Sequence, residues 1–100
     1  MVGMKTQFFV KLIPPRPTFS QEMSGEEAVA MREHIEYWTG LVKEGKVHVF
    51  GPVQDPEGVY GVGVVSAESE KEVRELTRND PAARIMMSYK IYPMRAILPS

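Results

Sequence analysis

Two histidines and no cysteine leave this chain few ways to do chemistry. Thiolate nucleophiles, disulfides, Fe–S clusters and Cys-ligated zinc are excluded by composition. A three-ligand zinc site would have to draw on carboxylates, and no HExxH spacing exists, so no metal is expected. Gly61-Val-Gly63 is a fragment of a dinucleotide motif with no third glycine opening a helix, so no nucleotide cofactor is expected. What remains is proton transfer by an imidazole. His34 is the first candidate, because helical spacing sets it beside Met31 and Trp38 at the border of an apolar stripe. A partly desolvated ring favours the neutral form, which can act as a general base. The plainer alternative is a structural His held by one partner.

Asp80 is the expected partner of His34. A carboxylate bonded to one ring nitrogen fixes the tautomer and raises the basicity of the other. Asn79-Asp80-Pro81 is equally an ordinary helix stop, with Asp bonding local backbone. Asp55 is the runner-up, and its Asp-Pro context reads first as a turn. Arg16 lies in the segment Pro14-Pro15-Arg16-Pro17, where a stiffened loop could offer a guanidinium to a carboxylate or phenolate. Such an Arg is more often simply solvated, and Arg32 and Arg84 are weaker versions of the same idea. Tyr37 and Trp38 could line an aromatic pocket, although Trp38 at helical spacing also suits a core. His48, flanked by Val47 and Val49, points outward or into a subunit seam.

These residues need elements to hold them. One hundred residues make one domain, 1–100, that buries only about 60–65% of its unfolded surface. Lys5 to Ile13 reads as a strand, stopped by the prolines. Thr18 to Met23 reads as loop. Ser24-Gly-Glu-Glu27 is a capping box that opens a helix over 26–44, with Gly45 as its stop. Ala28, Met31, Ile35, Trp38 and Val42 fall within an arc of about 80° and are its expected buried face. Val47 to Phe50, ended by Gly51-Pro52, and Val59 to Val65 form a hairpin. Gly61 and Gly63 inside the latter strand imply a close approach by another group. Ser69-Glu-Lys-Glu72 offers a second capping box for a helix to about Arg78 that buries Val73 and Leu76. Met86 to Leu98 returns to a strand pattern, with Pro93 marking an edge or bulge.

The order β-α-β-β-α-β is that of the split βαβ, ferredoxin-like fold. It predicts an α+β domain with a four-stranded antiparallel sheet and both helices on one face. The other face then needs a cover, and a second subunit is the expected one. Phe8, Phe9, Phe50, Tyr60, Met86, Met87, Tyr89 and Tyr92 are the expected seam residues. Twelve basic against thirteen acidic residues argue against a nucleic-acid partner. The apolar run Phe8–Ile13 is too short for a membrane span and lacks the layout of a signal peptide, so a cytoplasmic protein is expected.

His34-Ile-Glu-Tyr-Trp38, Leu41-Val-Lys-Glu-Gly45, Val49-Phe-Gly51-Pro52-Val53, Asp55-Pro-Glu-Gly58 and Asp80-Pro81 together resemble the YCII-related (YciI-like) family. The resemblance runs from the first strand to the last. It implies a ferredoxin-like fold dimerising into an α/β barrel, and a His–Asp pair in a cleft. It also implies a scaffold able to host chemistry on small aromatics, one relative being identified as a dehydrochlorinase of a chlorinated hydroquinone. The chain departs from the family pattern in the longer stretch from Ile13 to Ser20 and in Ala82-Ala83 after Asp80-Pro81, both of which alter pocket shape. The reading at this point is a homodimeric enzyme of isomerase or lyase type, without cofactor, acting on a small cyclic or aromatic acid. The alternative is a metabolite-binding dimer or accessory domain that does no chemistry.

Overall fold

The computed structural model describes residues 5–99; residues 1–4 and 100 of the expected 1–100 domain lie outside the described residues. The elements are β1 (Thr6–Ile13), α1 (Gly25–Lys43), β2 (Val47–Val53), β3 (Tyr60–Ala67), α2 (Glu70–Arg78) and β4 (Ser88–Met94). The strands form one antiparallel sheet in the order β2-β3-β1-β4. This is the ferredoxin-like α+β arrangement anticipated from the element order. Among the described residues no helix is long and apolar enough to cross a membrane.

Alternation splits the sheet into two chemically different faces. Phe8, Val10 and Leu12 of β1 turn toward the helices and are buried with Trp38, Leu41, Val47, Val65 and Val73. Phe9, Lys11 and Ile13 turn to the open face, where Phe9 meets Tyr92 at 6.5 Å between ring centroids. The expected seam residues are therefore divided. Phe8 is core, and Phe50, Met86 and Tyr89 pack against that core. Met87 and Tyr92 remain exposed, and so does Val49, which was not among the expected seam residues.

The termini of the helices follow their capping chemistry. Ser24 and Glu27 form a complete capping box on α1. Ser69 accepts from the Glu72 amide at 3.2 Å, and the reciprocal bond that would complete a second box is not among the hydrogen bonds of α2. Gly45 closes α1 at φ 81°, where a side chain would be strained.

Three expectations are corrected. The loop before α1 contains a 3-10 turn, Phe19–Gln21, that buries Phe19. The strand β2 does not end at Gly51-Pro52 but runs through them to Val53. It is an edge strand, so the proline gives up no bond that the sheet requires. Pro93 sits in β4, the other edge, for the same reason. Finally, the buried stripe of α1 is Ala30, His34, Trp38 and Leu41. That is a rotation of about 80° from the expected face. Ala28 and Val42 face solvent, and Ile35 is 54% exposed. The cause is His34: a polar residue counted as border lies in the middle of the buried stripe because it has an ion partner there.

Candidate functional site

Asp80 stands directly after α2, at the N-cap of a short 3-10 turn over Pro81–Arg84. Its Oδ1 accepts the Ala82 amide at 2.9 Å, the local stop bond that Asn-Asp-Pro implied. The same carboxylate also receives His34 Nδ1 at 2.9 and 3.0 Å, Trp38 Nε1 at 2.8 Å and the Tyr89 hydroxyl at 2.9 Å. The helix-stop and partner readings are thus both true of one side chain. It is 3% exposed. Burial by itself pushes the Asp80 carboxyl up; the bond and charge of His34, the Ala82 amide and the Trp38 indole outweigh that and hold it below its ordinary value. Four donors on one buried carboxylate explain why an ion survives here.

An ionised carboxylate only accepts, so His34 Nδ1 must carry a proton. The Nε2 atom is then the nitrogen left for other work. It has no protein partner among the described residues, and no buried side-chain nitrogen or oxygen there is left unpaired, so Nε2 is open to the outside. The His34 ring lines a cavity of about 280 Å³, walled mainly by apolar groups including Phe19, Met31, Trp38, Phe50 and Met86. The ring is boxed by aromatics: Trp38 lies 5.8 Å away and Phe50 meets it edge-on at 6.3 Å.

The supporting parts are local consequences of sequence. Trp38 closes tightly on Gly63 of β3; a Cβ at that position would fall 2.5 Å from Trp38 Cζ3. This is the close approach that glycine within the strand foretold. Tyr89 reaches Asp80 from β4, and burial, then the neighbouring charge of Asp80, pushes its hydroxyl well above the usual range, keeping it a donor. Sequence reading put Tyr89 in a seam. Strand parity with Ile91, together with the need of a buried phenol for a partner, was the available signal. Phe19, hidden among prolines, lines the cavity and was also missed.

Arg16 and Tyr37 are not brought to the cavity. Arg16 is fully engaged: its Nε meets Glu22 at 3.0 Å, and its Nη1 and Nη2 grip Glu27 at 3.0 and 2.8 Å. It holds Glu27 down at about 2 and clamps the Phe19 turn to the start of α1. Tyr37 donates to the Leu76 carbonyl at 2.7 Å, tying α1 to α2. Asp55 does what its turn implied, accepting the Glu57 amide at 2.9 Å. Arg84 bonds Glu33 and the Pro81 carbonyl. His48 is exposed, with Nε2 2.6 Å from the Ser66 hydroxyl, at an irregularity in the β2–β3 register.

The comparisons with known proteins bear on the fold and the family. A solved structure of a 5-chloro-2-hydroxyhydroquinone dehydrochlorinase from Burkholderia phenoliruptrix AC1100, in complex with 2,5-dihydroxybenzoquinone, is similar with a TM-score of 0.60 and 19% identity, covering 89% of this chain and 93% of that one. At that identity the likeness shows the fold. No curated protein matches the sequence. The sequence profile of the YCII-related domain matches residues 7–95. A carboxylate-held histidine on a ferredoxin-like sheet and a profile match over nearly the whole chain lead to one conclusion: the protein belongs to the YCII-related family.

Proposed function

We infer that this protein is a small-molecule enzyme in which His34 Nε2 moves a proton and Asp80 positions the ring. The observation that carries the reading is a single one: a buried imidazole lining an apolar cavity, with one nitrogen tied to an ionised carboxylate and the other without a protein partner among the described residues. The substrate is a small ring that Trp38 and Phe50 can flank. In the reaction a substrate proton passes to Nε2 and its bonding pair moves into the ring system. Either the pair expels a leaving group, as in elimination, or the proton returns at another carbon, as in isomerisation. The imidazolium formed is stabilised by Asp80. The dehydrochlorinase likeness favours the elimination branch.

The working unit is a homodimer in this reading. The open sheet face leaves Val49 and Tyr92 more than half or half exposed, at 57% and 50%, and a second copy seated there would cover them.

The test is chloride release from 5-chloro-2-hydroxyhydroquinone. The wild-type protein should release chloride, and His34→Ala should lose about 10²- to 10⁴-fold in turnover while keeping its circular dichroism. Full turnover by the variant would overturn the role of His34. Binding of the compound by the wild-type protein without turnover would select a metabolite-binding dimer instead.

A further inference from the structure

Among the described residues, the cavity beside His34 is lined by no lysine or arginine. Among the described residues its ionised neighbour is Asp80, directly behind the imidazole. The cations next to lining residues are turned away: Arg32 of α1 is exposed and lies about 160° around the helix from His34. Arg16 spends its donors on Glu22, Glu27 and the Glu22 carbonyl. Lys11 lies on the open face of the sheet, its Nζ 4.4 Å from the centre of the Tyr60 ring. A ring bearing a carboxylate would thus have to leave water for an apolar space, beside an existing negative charge and with no counter-ion. Both circumstances are unfavourable, and they add. A neutral ring meets neither difficulty. Negative charge that develops only as the proton leaves is matched by the imidazolium that the same step creates, so the site favours the transition state over an anionic ground state.

Resting on the function proposed above, we propose that the substrate enters uncharged, as a phenol, hydroquinone or ring ketone, and that this cavity discriminates against carboxylic acids. This narrows the cyclic or aromatic acid that the sequence suggested.

The experiment compares benzamide with benzoate at pH 8, titrated into the wild-type protein and followed by the side-chain NMR signals of His34 and Trp38. Benzamide should bind at least about tenfold more tightly than benzoate. A second protein, Ile35→Lys, sets a cation on the cavity rim at a half-exposed helical position that tolerates lysine. It should raise benzoate affinity about tenfold with little change for benzamide. Benzoate binding the wild-type protein as well as benzamide does would overturn the discrimination and leave the His34 reading standing. Failure of both compounds to move the His34 and Trp38 signals would overturn the cavity as a binding site, and this proposal with it.

Discussion

The two histidines of this chain are the same residue in two different situations. His34 is buried and bonds a carboxylate; His48 is exposed and bonds a hydroxyl. Ionised Asp80 can only accept, so it dictates which nitrogen of His34 carries the proton. Ser66 can donate or accept, and it also takes a bond from Gln7 at 3.1 Å, so it dictates nothing to His48. The difference teaches that an imidazole is poised by the charge and burial of its partner, not by having one. Short distance is a poor guide, since the His48 contact of 2.6 Å is the closer of the two.

The contrast can be broken or sharpened by substitution. The largest effect belongs to His34→Ala, with its loss of about 10²–10⁴ in turnover, while His48→Ala should keep wild-type rates in the same assay. Equal losses in the two variants would erase the distinction. Asp80→Ala comes next. It strands the Trp38 indole, the Ala82 amide and the Tyr89 hydroxyl in the core, and should cost about 3–5 kcal/mol in urea unfolding. Ser66→Ala, which removes the partner of His48, should cost about 1 kcal/mol or less. Between these lies Gly63→Ala, which pushes a methyl into Trp38 and should destabilise by about 1–3 kcal/mol, whereas Gly51→Ala meets nothing within 4 Å.

The smallest effect is one of sign with pH. The Asp80 carboxyl is held below its unfolded value, so its contribution is whole above about pH 4, the unfolded range. It is lost as pH falls further, through the folded value. Acid unfolding of the wild-type protein should therefore be steeper than that of Asp80→Asn. Parallel curves would mean that Asp80 is not held as described.

Much of this arrangement was legible because it rests on local rules. Ser24 and Glu27 announce the start of α1 by side-chain chemistry alone, and Pro93 announces an edge by lacking an N–H. Gly63 announced that something would lie close without saying what; that Trp38 does so depends on the crossing of α1 over the sheet, which no local pattern encodes. The pairing of His34 with Asp80 was anticipated, but the stripe that buries it was misjudged. Apolarity alone places Ile35 and Val42 inside and His34 at the edge. A hydrogen bond to an ionised carboxylate across 46 residues reverses that order, because the desolvated imidazole is satisfied where it sits. Arg16 was out of reach because the turn at Phe19–Gln21 brings it against Glu22 and Glu27; for Tyr89 the inward parity was readable but the identity of its partner, Asp80, was not.

The most direct measurement is a long-range ¹H–¹⁵N NMR spectrum of the histidine side chains at a pH where both rings are neutral. The account predicts that His34 holds its proton on Nδ1, with Nε2 bare, and that Asp80→Ala abolishes this preference. A His34 ring protonated on Nε2 in the wild-type protein would contradict it.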